Sequence, residues 1–395
     1  MPSLPSRLSL ERLCFAFFGS FLFFSAIFCS YTRVTNLFHL AAACFLVMLW
    51  RRPLFRQDLW ANPRLKTGLV MAALYLGYYS LSNLWTTNPL NIESTLKHGL
   101  YMLCFLSMAV AMLNGRYRTQ IYLAIGVGFT MLALFLMGID YQNIMSNRLM
   151  SLQSPGPQNV IDVGGYFAVG VLLSLMVFRD TGRHAVLVLT LVLLVALMLT
   201  QSRGPLIALG LSLLMTSHLG IFTRRNMLVG GLLLAILVAG FALTGMGAVM
   251  VERFEELAVQ VYLRLSIWHH SLHLISQAPF FGHGFDAQLH FTNYSGEFIT
   301  TTHSLYLGAL LKGGIAGFIT MLLLVGYGLR CALRCVREER RPEAAMFLFM
   351  LIFYLSQGMF NIGNPGEFWY LFWFPYAVMM TNPRSTPALL NPAQG

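Results

Sequence analysis

Three side chains stand out in a chain in which 57% of residues are hydrophobic and only 10% are charged. Arg203 lies in Gln201-Ser202-Arg203-Gly204-Pro205, between two apolar runs. An arginine so near hydrocarbon costs about 2.5–3.5 kcal/mol on insertion scales, which a polar, anionic partner would offset. The plainer reading is a side chain that only reaches a lipid phosphate. Arg264, in Tyr262-Leu263-Arg264-Leu265-Ser266-Ile267-Trp268, has no acid within four positions on either side. Such a guanidinium can grip two phosphate oxygens in its fork, or rest exposed against lipid headgroups. Arg253, three helical turns earlier, has Glu252, Glu255 and Glu256 beside it and reads as structural. His303 opens an apolar run in Thr300-Thr301-Thr302-His303-Ser304-Leu305-Tyr306. Thr302 or a neighbouring threonine is the expected helix cap. The positive end of that helix disfavours imidazolium, and a neutral imidazole is what a general base requires at neutral pH. A histidine that merely hydrogen-bonds at the interface fits the same residues.

Supporting candidates carry less specific signals. Lys312 falls inside the run that His303 opens, where it is expected to satisfy a polar contact within the bundle, and Gly313, Gly314 and Gly317 beside it read as a close helix-packing face. Tyr306, Arg148, Lys97 and Glu367 are further polar residues of the same face, with no spacing that singles them out. His269, His270, His273, His283, Asp286 and His290 lie within one segment, but no His-Glu-x-x-His pattern accompanies them and a metal is not expected. The six cysteines lie in or at the ends of apolar runs, so a disulfide framework is not expected.

The elements that must position these groups are membrane helices. Soluble domains carry about 25% charged residues, far more than this chain. Apolar runs long enough to span a bilayer, or somewhat short of it, occupy 14–31, 36–50, 66–84, 95–113, 119–138, 163–178, 184–201, 205–222, 226–248, 303–333, 343–360 and 368–381. The fold expected is all-α and polytopic, one transmembrane domain over 1–395 with about twelve helices. The first run, after Arg7 and Arg12, lacks a small-x-small cleavage site and is read as a retained span.

Basic residues set the orientation. With the amino terminus inside, 19 of the 26 Lys and Arg fall in inside loops, leaving Arg33, Lys97, Arg148, Arg203, Arg253, Arg264 and Lys312. That asymmetry predicts cytoplasmic termini. It also accounts for the formal charge of +11 without nucleic acid, whose recognition needs clustered bases on a soluble fold. The outside face then carries two loops. One spans 138–162, with Ser154-Pro155-Gly156-Pro157; the other spans 249–302. The second is expected to open with a helix over 251–276 whose apolar residues Phe254, Leu257, Val261, Leu265 and Leu272 recur at helical spacing, to stop at Gln277-Ala278-Pro279, and to turn at Gly282-His283-Gly284. A transporter or flippase would favour charges along a mid-membrane path, and no internal repeat suggests inverted halves. Polar residues gathered at one face suit a surface reaction better.

Three segments in order carry a resemblance. Gln201-Ser202-Arg203-Gly204-Pro205-Leu206-Ile207-Ala208-Leu209 is followed by Arg264-Leu265-Ser266-Ile267-Trp268 running on to Ala278-Pro279-Phe280-Phe281-Gly282-His283-Gly284-Phe285. His303-Ser304-Leu305-Tyr306-Leu307 then precedes Gly313-Gly314-Ile315-Ala316-Gly317. Over 201–317 the chain resembles the O-antigen ligase family, which shares a domain with some O-antigen polymerases and pilin oligosaccharyltransferases. The resemblance implies a bacterial inner-membrane glycosyltransferase that moves O-antigen polysaccharide from undecaprenyl diphosphate to a hydroxyl of lipid A–core. By the same resemblance, Arg203 and Arg264 match the arginines proposed to hold the donor diphosphate, and His303 matches the proposed base. Such enzymes are thought to act without metal or nucleotide. Ser304 stands where many relatives have asparagine. Two fixed arginines would stabilise the negative charge that develops on a departing lipid diphosphate, and in-line attack by the acceptor would invert the anomeric centre. Both substrates are amphiphiles, so a cavity open sideways to the outer leaflet is expected.

Overall fold

The computed structural model describes residues 10–86, 91–217 and 257–382, with Leu228 and Gly231. Its helices are α1 (Leu10–Phe28), α2 (Thr35–Arg51), α3 (Pro53–Ala61), α4 (Pro63–Leu81), α5 (Ile92–Asn114), α6 (Arg118–Ile139), α7 (Tyr141–Ser146), α8 (Val160–Thr181), α9 (Val186–Leu199), α10 (Arg203–Thr216), α11 (Leu257–Gln277), α12 (Leu305–Arg337), α13 (Arg341–Phe353) and α14 (Phe374–Met379), the last preceded by one π-helical turn, Trp369–Trp373. The architecture is all-α and polytopic, as the apolar runs predict. Five of these helices are long and apolar enough to cross a membrane, and a sixth span arises if α2 and α3, bent by 102°, count together. The expected span 226–248 lies outside the described residues, apart from Leu228 and Gly231, as do 249–256 of the second loop.

Local chemistry sets the helix ends. Proline occupies the first turn of α3, α4 and α13, where its missing N–H costs nothing. Asn62 caps α4 by accepting from Arg64 N at 3.0 Å, and Gly182, at φ +66°, closes α8 with its N–H on Phe178 O. α8 is the most enclosed span, with 83% of its apolar window buried. Gly165 and Gly170 let it approach its neighbours: a Cβ there would stand 2.9 Å from Leu371 and 2.9 Å from Leu193, respectively.

Ion pairs gather at one end of the bundle. Glu343, fully buried, accepts from Arg179 at 2.8 Å and from Arg340 at 3.3 Å. Arg64 pairs with Glu338, and Arg341 donates to Thr216 O at 3.0 Å. Every arginine in this network belongs to the set that the sequence places inside. Arg203 and the start of α12 lie at the far ends of their helices from it.

Two expectations are corrected. The run 343–360 is helical only to Phe353, because Ser356-Gln357-Gly358 turns inward to meet the segment before α12. The helix expected at 303–333 starts at Leu305, runs to Arg337 and breaks at Gly314, which adopts φ +59° and ψ −161°. The helix expected from the apolar spacing is present as α11, with Val261, Leu265 and Leu272 exposed and Ile267 and Ser271 buried. Where lipid is the solvent, an apolar stripe has no need to face protein. The second loop also holds a short antiparallel hairpin, Phe291–Thr292 with Phe298–Ile299, that sequence periodicity did not reveal.

Candidate active site

The break at Gly314 frees backbone groups that a helix would pair internally, and at membrane depth each must find another partner. The segment after α11 supplies them. His283 and Gly284 donate to Leu311 O and Lys312 O, both at 2.9 Å, while Ile315 and Ala316 donate to Pro279 O at 2.8 Å and Phe280 O at 3.0 Å. Only glycine fits at the crossing. A Cβ on Gly314 would stand 2.5 Å from Gly282 N, and one on Gly282 would stand 2.5 Å from Gly314 N. Gly313 and Gly317 do form the expected packing face, against Tyr79 and Tyr78. Lys312 donates to the carbonyls of Phe285 and Ala287, the latter at 2.7 Å, so its charge holds the loop after the turn.

That splice carries α11, and with it Arg264, to the start of α12. A buried cluster of Ile267, Leu289, Ile299 and Leu311 seals the contact. His303 sits two residues before α12, half-buried, with a left-handed backbone at φ +49°. Ser304 rather than Thr302 is the N-cap residue, without a capping side chain; the Thr302 hydroxyl instead donates to Ser304 O at 2.6 Å. Burial, then the neighbouring Arg264 guanidinium, hold the His303 imidazole below its ordinary pKa, with Glu297 pulling the other way. The neutral imidazole expected from the helix end thus has burial as its principal cause. Burial, then Arg203, lower Arg264 in turn. Among the described residues no carboxylate is found acting on Arg264, and a guanidinium stays charged regardless.

Arg203 opens α10 after a tight turn in which Gln201 adopts φ +49°. Two flanking segments hold that turn. Gln201 donates to Asn147 O at 2.7 Å and Leu149 N–H donates to Leu199 O at 3.1 Å, which brings Arg148 alongside. Ser202 donates to Val160 O, at the start of α8. Arg203, Arg264 and His303, 100 positions apart from first to last, therefore form one electrostatically coupled group.

The supporting candidates separate. Tyr306 donates to Leu351 O at 2.9 Å and ties α12 to α13. Glu367 lies within electrostatic range of buried Asp162. Lys97 sits on the exposed face of α5, and no contact described here joins it to the three. The loop histidines have local partners: His283 bonds Leu274 O at 2.8 Å, His270 stacks on Phe291, and His290 stacks on Phe298. No group of three or more His, Cys, Asp or Glu that could hold a metal occurs among the described residues. An apolar groove of about 640 Å³ is lined by residues of α2, α3, α4 and α5, including Leu46, Trp60 and Lys66, and not by Arg203, Arg264 or His303.

Sequence reasoning missed Asp162 and Gln357. Each is only 5% exposed, and the Gln357 amide donates to the Asp162 carboxylate. The only available signal was a carboxylate in the first turn of a run that is otherwise free of acids as far as Arg179.

A family model described as O-antigen ligase matches residues 185–322, a stretch that contains Arg203, Arg264 and His303. An O-antigen ligase of Pseudomonas aeruginosa is 27% identical over 334 residues, covering 80% of each chain. With the motif region matched by that model and 80% of the chain aligned to that ligase, this polytopic membrane protein is similar to the O-antigen ligase family.

Proposed function

We propose that the protein transfers O-antigen polysaccharide from undecaprenyl diphosphate to a sugar hydroxyl of lipid A–core, at the periplasmic face of a bacterial inner membrane, with both termini cytoplasmic. The observation that carries this reading is a base-ready imidazole acted on by the Arg264 guanidinium, which is in turn acted on by Arg203. Two half-buried cations that repel one another are most stable with an anion between them, and a diphosphate carries the charge to match both. In that role Arg203 and Arg264 bind the donor diphosphate and stabilise it as it leaves. His303 takes the proton of the acceptor hydroxyl as its oxygen attacks the anomeric carbon, and the sugar–phosphate bond breaks on the opposite face. The carbon inverts, and the lipid diphosphate departs with the bonding electrons. The chain's own residues supply the charge and the base, so neither metal nor nucleotide is required.

The test is transfer by purified protein from lipid-diphosphate glycan to lipid A–core, with chelator present and no nucleotide. Arg203→Ala, Arg264→Ala and His303→Ala are each expected to abolish it at normal protein levels. Full-length lipopolysaccharide in cells carrying all three variants singly would overturn the mechanism. Deletion in cells separates the ligase from a polymerase of the same superfamily: ligase loss leaves polymer on the lipid carrier, whereas polymerase loss leaves single-repeat lipopolysaccharide.

A further inference from the structure

The backbone of His303 is held in a conformation it would not choose. A left-handed φ of +49° costs a residue with a Cβ about 1–2 kcal/mol, so something outside the turn must impose it. The surface that does so is the turn after α13. Gly358 lies so close that a Cβ on it would stand 2.5 Å from His303 N and 2.8 Å from its Cα. On the α12 side of this contact Leu305 N–H donates to Tyr354 O at 3.1 Å, and Tyr306 bonds Leu351 O. Gly358 is itself held: its N–H donates to Gln357 Oε1 at 2.8 Å, while Gln357 Nε2 donates to Asp162 Oδ1. Both ends of the amide are used, which fixes its orientation. Asp162 in turn lies in the first turn of α8, capped by Asn159, where the helix favours a negative charge. Val160, two residues earlier, accepts from Ser202 beside Arg203.

We propose that Asp162 and Gln357 are positioning residues for His303. Asp162 anchors the Gln357 amide, Gln357 anchors Gly358, and the bare face of Gly358 sets the His303 backbone. Because α8 also holds the Arg203 turn, its first turn fixes the separation between the base and one of the two arginines. The inference rests on His303 acting as the base, and neither Asp162 nor Gln357 touches substrate in it.

The test uses the full chain in lipid nanodiscs, with the transfer assay normalised to folded protein. Asp162→Ala removes the anchor, and displacement of a base by the order of an ångström lowers kcat by about 10- to 100-fold. The donor KM is expected to stay within about twofold, because Arg203 and Arg264 remain. Asp162→Asn keeps an oxygen for the Gln357 amide and is expected to restore most of kcat, a rescue that general destabilisation would not give. Wild-type kcat in Asp162→Ala overturns the proposal, and so does Asp162→Asn as slow as Asp162→Ala, since the charge itself would then be needed. If Asp162→Ala does not fold, Gln357→Ala carries the same expectation, and wild-type kcat there is equally fatal. His303→Ala separates the two levels. Full activity in that variant defeats the base assignment, whereas inactivity there beside full activity in Asp162→Ala and Gln357→Ala defeats the positioning alone.

Discussion

Alanine at Gly314 tests whether the splice between the loop and the broken helix holds the site together. The added Cβ would stand 2.5 Å from Gly282 N and from Phe280 C and O, all of them backbone, so no side chain can swing aside. Two responses are open. Either the loop is pushed away, or α12 straightens and takes back its own hydrogen bonds, stranding His283 N–H, Gly284 N–H, Pro279 O and Phe280 O. Four lost bonds at about 0.5–1.5 kcal/mol each give about 2–6 kcal/mol, and more where the stranded groups stay out of water. Retaining this backbone, at φ +59° and ψ −161° in a region essentially reserved for glycine, adds about 1–3 kcal/mol. Gly326→Ala on the same helix is the control: nothing lies within 4 Å of its Cβ, and the better helix former should leave stability unchanged or raise it by up to about 1 kcal/mol. Unfolding by dodecyl sulfate in mixed micelles, read beside the transfer assay, compares the two. The reasoning predicts opposite signs, with transfer lost only in Gly314→Ala. Equal stability and equal transfer would refute it.

The remaining predictions concern other groups. The acidic limb of the kcat profile should fall below the ordinary histidine range, because burial and Arg264 both disfavour imidazolium at His303. Removing a cation raises that pKa, so any residual activity of Arg264→Gln should need a higher pH, whereas Glu297→Gln should shift the limb to lower pH; a pH–rate series on each variant checks both signs. Lys312→Met preserves length but loses two charge-assisted bonds to the loop carbonyls, and should cost about 3–6 kcal/mol in the micelle unfolding assay. Glu343→Ala leaves Arg179 and Arg340 without the carboxylate between them and should cost about 3–5 kcal/mol, with kcat per folded molecule unchanged.

Much of this was legible in the sequence because lipid and charge leave strong marks. Apolar runs betray helices whatever they pack against, and arginines sort to one end; the Arg64, Arg179, Arg340 and Arg341 contacts fall at a single end as that sorting requires. Arg203, Arg264 and His303 were found because each is a polar residue where composition leaves few. What stayed hidden is what depends on tertiary hydrogen bonds. A glycine pair at 313–314 reads equally well as a smooth packing face or as a break, and only the 279–284 segment decides for the break. The run 343–360 is apolar from Ala344 to Leu355, and nothing in its periodicity says that Phe353 is the last helical residue. Asp162 looked like the end of a loop because the partner that gives it meaning, Gln357, lies 195 positions away.

The three groups are not held by a common scaffold, and this makes their couplings separable. Arg264 and His303 share α12: one reaches it through the splice at Gly314, and the other precedes it by two residues. Their separation is therefore set by a short length of a single helix and the loop bonded to it. Arg203 belongs to a different assembly, the turn gripped by the start of α8 and by the 147–149 segment. The Asp162–Gln357–Gly358 chain joins the two, beside the packing of α10 on α13 and of Gly204 against Ser356. A lesion at Gly314 should therefore move Arg264 relative to His303 and disturb donor binding and proton transfer together, whereas a lesion at Asp162 should displace His303 from a diphosphate site that still binds. For the proposed transfer from a long lipid-linked donor to a bulky acceptor, such a division would let the assemblies adjust separately. Arg203 can thus be set independently of the pair Arg264 and His303, with a buried hydrogen-bond chain helping to keep the two assemblies in register.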